Sequence, residues 1–148
     1  MFMEDVLPSK KNGALHGKKI FVISADPSIV QAVKDSVASH GAVFFFGMTP
    51  PDAIGNVLAK NPDLIVYDEF MPAFNGSTVL SLLKQKRPKD KILYLTRTGV
   101  PLRSIDVTAQ GVSFSIPRDS NTPQIYNAVK HCLAIASVPR VESPANVN

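Results

Sequence analysis

The chain has 148 residues, 45% of them hydrophobic and 19% charged, with a formal net charge of +4. That length suits one domain with a sizeable core and two short tails, and a single cysteine, Cys132, excludes an intrachain disulfide framework or a cysteine metal site. No apolar run reaches the length of a membrane span, and Glu4 and Asp5 do not suit a signal peptide, so a cytoplasmic protein is the default expectation.

Residues 1–17 are polar, carry Gly13 and Gly17, and read as a loose N-terminal tail. The domain is expected over 18–136. Its first strand is the run Lys18 to Ile23. Asp26 followed by Pro27 then starts a helix, as a capping acid with proline at the first helical position. Val30, Val33 and Val37 recur at helical spacing, and Gly41 closes the helix. Ala42 to Phe46 is the second strand, whose three phenylalanines predict burial on both faces. Thr49-Pro50-Pro51-Asp52 opens a second helix with Ile54, Val57 and Leu58 inward.

Asn61-Pro62 turns the chain away from helix. Leu64 to Tyr67 is a buried-strand run, and Asp68 follows where the strand ends. A loop with Pro72 and Gly76 leads to a third helix, Ser77 to Lys86, with Val79, Leu80, Leu82 and Leu83 as its apolar stripe. Lys84, Lys86, Arg87, Lys89 and Lys91 read as a solvated helix end, since cations favour helix C-termini. Lys91 to Thr96 is the fourth strand. Val100 to Gln110 predicts a short, weak helix. Gly111 turns into a fifth strand over Val112 to Ile116. Thr122-Pro123 starts the last helix, with Ile125, Tyr126, Val129, Cys132 and Leu133 on one side. Residues 137–148 read as a C-terminal tail. His16, His40 and His131 show no metal-ligand spacing and read as surface or capping residues.

Strands alternating with helices predict an α/β fold: a doubly wound, five-stranded parallel sheet in a three-layer α/β/α arrangement. The flavodoxin-like order 2-1-3-4-5 places a crevice between the first and third strands. That crevice would hold Asp68, Ser24, Ala25 and Asp26.

The segment Pro62-Asp63-Leu64-Ile65-Val66-Tyr67-Asp68-Glu69-Phe70-Met71-Pro72…Gly76 resembles the phosphoacceptor segment of bacterial response-regulator (CheY-like) receiver domains. The resemblance covers roughly 18 to 136. It implies a two-component phosphorelay module, not an enzyme, in which Asp68 accepts a phosphoryl group from a histidine kinase. It further implies Thr96 as the hydroxyl after strand four and Arg118 at the position of the family's lysine. The family's acid pair, which holds Mg²⁺, falls on Ser24 and Ala25, so both carboxylates are missing. Asp26 stands one residue beyond, as a helix cap or as a substitute ligand. Asp68 and Asp26 are then the only metal candidates, no cofactor is expected, and Mg²⁺ binding is expected to be weak at best. Arg118 keeps the positive charge but is planar and bulky, which suits a standing salt bridge with Asp68.

The resemblance therefore implies an atypical, degenerate receiver acting through protein contacts, with phosphorylation at Asp68 impaired. Expected partners are a histidine kinase or a downstream output protein, and it leaves room for a homodimer through the face of the weak helix and the last helix. No membrane or nucleic-acid partner is expected. The alternative is a small-ligand-binding or enzymatic flavodoxin-like domain, against which stands Ser24-Ala25-Asp26-Pro27-Ser28, a loop with no glycine and an acid that repels phosphate.

Overall fold

A computed structural model describes residues 13–70, 76–97 and 111–135. Within them lie β1 (Lys19–Ile23), α1 (Pro27–Ala38), β2 (Val43–Gly47), α2 (Pro50–Lys60), β3 (Leu64–Asp68), α3 (Gly76–Lys86), β4 (Lys91–Thr96), β5 (Phe114–Pro117) and α4 (Thr122–Cys132). The helix expected over Val100 to Gln110 and the loop residues Met71 and Pro72 fall outside the described residues.

The strands form one parallel sheet in the order β2-β1-β3-β4-β5. This is the predicted doubly wound topology. β3 is central, and all five of its residues are buried. Alternation along the strands divides the core into two layers. Ile20, Val22, Leu64, Val66, Leu93 and Leu95 pack with Ile29, Val33 and Val37 of α1 and Ile125 and Val129 of α4. Phe21, Ile23, Ile65, Tyr67, Ile92 and Tyr94 pack with Ala53 and Val57 of α2 and Val79, Leu80 and Leu83 of α3. A strand covered on both faces has to be apolar at nearly every position, which is why these runs do not alternate with polar residues.

Local signals set the helix ends. The Asp26 carboxylate accepts from the Ser28 N–H at 2.9 Å, and Pro27 occupies the first turn of α1. Asn61 closes α2 in the left-handed region with φ 55°. In α4 the Asn121 side chain accepts from the Gln124 N–H, and the Gln124 side-chain oxygen accepts in turn from the Asn121 N–H. At the end of α3, the Lys84 ammonium donates to the carbonyls of Pro88 and Asp90, and Arg87 pairs with Asp90.

Four expectations need correction. Residues 13–17 are not a loose tail: Leu15 is completely buried, and its N–H donates to the His40 carbonyl at 2.9 Å. The phenylalanines of β2 are not buried on both faces, because β2 is an edge strand. Phe44 is buried, but Phe46 is 53% exposed. Leu58 points to solvent, and Ala53 joins Val57 on the inner face of α2. The fifth strand begins at Phe114, two residues later than expected. It is also an edge strand, where fewer pairings hold the chain extended.

Candidate functional site

Asp68 is the last residue of β3, and its side chain is completely buried. β3 lies between β1 and β4, so the carboxylate emerges into the cleft at the carboxyl ends of these strands. Both of its oxygens are engaged. Oδ1 accepts from the Phe70 N–H at 3.1 Å and from Arg118 Nε at 2.9 Å. Oδ2 accepts from the Ser24 hydroxyl at 2.8 Å and from Arg118 Nη2 at 2.9 Å. The guanidinium thus grips Asp68 as a two-pronged fork, the geometry in which arginine binds carboxylates most strongly.

Arg118 reaches the cleft because its backbone is anchored one strand away. Its N–H donates to the Thr96 carbonyl at 2.8 Å, just past the pairing of Pro117 with Thr96. From there its side chain extends over β4 to β3. Nη2 also donates to Asp26 Oδ2 at 3.0 Å, and the guanidinium lies 5.4 Å from the Phe70 ring centre. Asp26 caps α1 with Oδ1, as expected, while its Oδ2 faces the site and is bound by Arg118. The hydrogen bond from Arg118, foremost, and that from Ser28 hold the Asp26 carboxyl below its usual range. The same carboxylates, Asp68 first, push the arginine further up.

The other expected residues are placed as follows. Thr96 is buried at the end of β4, but its hydroxyl turns to the Ile116 carbonyl at 3.4 Å. Ser24 is completely buried and occupies the first acid position as a donor to Asp68. Ala25, at the second, is exposed and offers no ligand. The sequence places Ser24 in the crevice only as a missing acid and does not show it as a donor to Asp68, although a hydroxyl beside a strand-end carboxylate is itself a signal. One further contributor is not legible in the sequence. Glu69 receives the Arg97 N–H on its side chain at 2.7 Å and donates its own N–H to the Leu95 carbonyl, tying the ends of β3 and β4 together. Beneath the site, Tyr67 stacks on Tyr94 at 5.9 Å, and burial pushes the Tyr67 phenol up to about 12.

The fold and the cleft define a class: a doubly wound α/β domain with a strand-end carboxylate at its switch point. The receiver domain model of response regulators matches residues 20–130, well over half of the chain. The chain belongs to the response regulator receiver domain family and is a module of two-component signal transduction. Solved structures agree in fold. Chemotaxis protein CheY4 of Vibrio cholerae superposes with a TM-score of 0.72 at 19% identity, over 78% of this chain and 98% of that one. A response regulator receiver domain protein from Clostridium thermocellum gives 0.71 at 18% identity, over 79% and 94%. A CheY-like receiver domain protein from Methanospirillum hungatei JF-1 gives 0.71 at 19%, again over 79% and 94%. No curated protein matches the chain in sequence. The family assignment places the chain with receivers, the first of the two readings drawn from the sequence.

The family implies Mg²⁺ beside the acceptor. The residues present, as arranged, do not fit it. A magnesium ion needs near-octahedral oxygen ligands with free lone pairs at about 2.1 Å. Here both oxygens of Asp68 are bound by donors, Ser24 contributes a hydroxyl that is donating, and Asp26 Oδ2 is taken by Arg118. Among the described residues, no group of three or more acidic, histidine or cysteine side chains is set to hold a metal.

Proposed function

We propose that this receiver domain signals mainly without phosphorylation, through a conformation fixed by Arg118 and recognised by a protein partner. The saturation of Asp68 carries this reading. An acceptor carboxylate needs a lone pair free to meet phosphorus in line, with a cation balancing the incoming charge. In this site four donors hold the two oxygens, and the guanidinium that balances the charge also blocks the approach. A phosphoryl donor would have to break two charge-assisted bonds before reacting. The neutralised carboxylate meanwhile imitates, without phosphate, the charge balance that phosphorylation would establish.

On this reading the domain is a binding module, not an enzyme, and works in the cytoplasm with a histidine kinase or an output protein. Among the described residues no helix is long and apolar enough to cross a membrane. The contact face includes β5 and α4, where Phe114 is partly exposed and Asn127 is exposed. A homodimer would use the same face. Gln124, also exposed, is a poor probe of that face because its side chain closes the α4 cap, and Arg103 lies outside the described residues. Asn127→Asp is the better probe and should weaken partner binding.

The test is incubation with acetyl phosphate and Mg²⁺, read by intact-protein mass. The expected result is little or no added mass. A stoichiometric gain of one phosphoryl group, lost in Asp68→Asn, would return the protein to the ordinary receivers.

A further inference from the structure

The misfit between this site and a metal has two possible sources. One is the missing acids at Ser24 and Ala25. The other is the arginine itself, and the geometry points to the arginine. Resting on the phosphorylation-independent reading above, we infer that the Arg118 guanidinium is the resident cation of this site, standing between Asp26 and Asp68 where a divalent ion would otherwise bind.

The observation is that one nitrogen, Arg118 Nη2, donates to both acids: Asp26 Oδ2 at 3.0 Å and Asp68 Oδ2 at 2.9 Å. Two carboxylate oxygens that share one donor nitrogen lie within about 6 Å of each other, close enough for a modest side-chain movement to bring both onto one ion. Each of those oxygens faces the cation and not a backbone structure it must keep. Asp26 caps α1 with its other oxygen, Oδ1, so Oδ2 is free to change partners without loss of the cap. Ser24 Oγ donates to Asp68 Oδ2 at 2.8 Å and accepts from the Asp26 N–H at 3.1 Å, which ties the two acids' segments together on the same side. Two carboxylate oxygens therefore converge on one point, and a covalently tethered cation holds both. A tethered cation has a lasting advantage over a dissolved one. It pays little association entropy, its local concentration is high, and its charge cannot be titrated away near neutrality.

The consequence is that removing Arg118, without adding any acid, creates metal affinity. Mn²⁺ serves as the probe because it accepts the same oxygen ligands as Mg²⁺ and is detected directly by its electron-spin resonance. Arg118→Ala should bind Mn²⁺ at least about tenfold more tightly than the unmodified protein, since the ion no longer has to displace two charge-assisted bonds. Adding Asp26→Asn to Arg118→Ala should return the affinity to the unmodified level. Folding is checked by circular dichroism, and Arg118→Gln stands in if the alanine variant does not fold.

A folded Arg118 variant with no gain in Mn²⁺ binding would overturn the inference, as would a gain that survives Asp26→Asn. Should neither variant fold, the unmodified protein decides: the Arg118 Nε–H resonance should be unmoved by millimolar Mg²⁺, and a shift of that signal counts against the resident cation. Failure here is separable from failure of the functional proposal. An unmodified protein that takes no phosphoryl group, with an Arg118 variant that gains no metal, refutes only this inference.

Discussion

Replacing Asp68 by asparagine reverses the stability effect expected of an ordinary acid cluster. Where an acceptor sits among other carboxylates, removing one negative charge relieves repulsion and stabilises the fold. In this protein Asp68 is completely buried and bound through both oxygens by Arg118, whose own side chain is only 18% exposed. The asparagine oxygen can still accept from Phe70 and from Arg118 Nε. Its amide nitrogen, however, would point a donor at Arg118 Nη2, where Oδ2 now accepts. Breaking a buried ion pair from one side costs about 3–5 kcal/mol, because the remaining charge is left uncompensated. Arg118 keeps Asp26 and the Phe70 ring, which lowers the loss to about 2–4 kcal/mol. For a domain of this size that is a fall in Tm of roughly 10 °C. Thermal denaturation followed by circular dichroism measures it, and added salt should change the difference little, because the pair is buried. A Tm equal to or above that of the unmodified protein would refute the claim that Asp68 is a structural ion-pair partner.

Two further outcomes are expected, one from the Arg118 bridge and one from the core. Asp26→Asn keeps a good helix cap but removes one arm of the Arg118 bridge. Because the Asp26 carboxyl is held below its usual 3.8 in the folded state, it contributes stability above that value, and this is lost as pH falls through the lower folded value. The unmodified protein should therefore lose stability more steeply below about pH 4 than the asparagine variant, and identical acid limbs in denaturation curves would count against the bridge. Leu15→Ala should cost about 2–5 kcal/mol in urea unfolding, since Leu15 is completely buried in the core shared by α1 and α4. A cost near zero would mean that residues 13–17 do not belong to the folded unit.

The sequence alone determined the elements, their order and the place of Asp68. Apolar runs such as Leu64 to Tyr67, punctuated by Asn61-Pro62 and Asp26-Pro27, act over a few residues. The alternation of strands and helices then admits few sheet orders. The position of Asp68 at a strand end follows from its place after such a run, and so do the positions of Thr96 and Arg118.

Tertiary structure decided which of those positions touch. The chain spacing of Asp26, Asp68 and Arg118 does not reveal that one guanidinium nitrogen binds both acids. That depends on the pairing of β5 with β4, which sets how far a long side chain can reach. Likewise, Thr96 looks as well placed as Ser24, yet Ser24 binds Asp68 and Thr96 turns to Ile116. The burial of Leu15 and the exposure of Phe46 reverse what their local sequence suggests. Whether a strand lies at the centre or the edge of a sheet, and which turn packs beneath it, is fixed by partners far along the chain, and no local pattern carries that information.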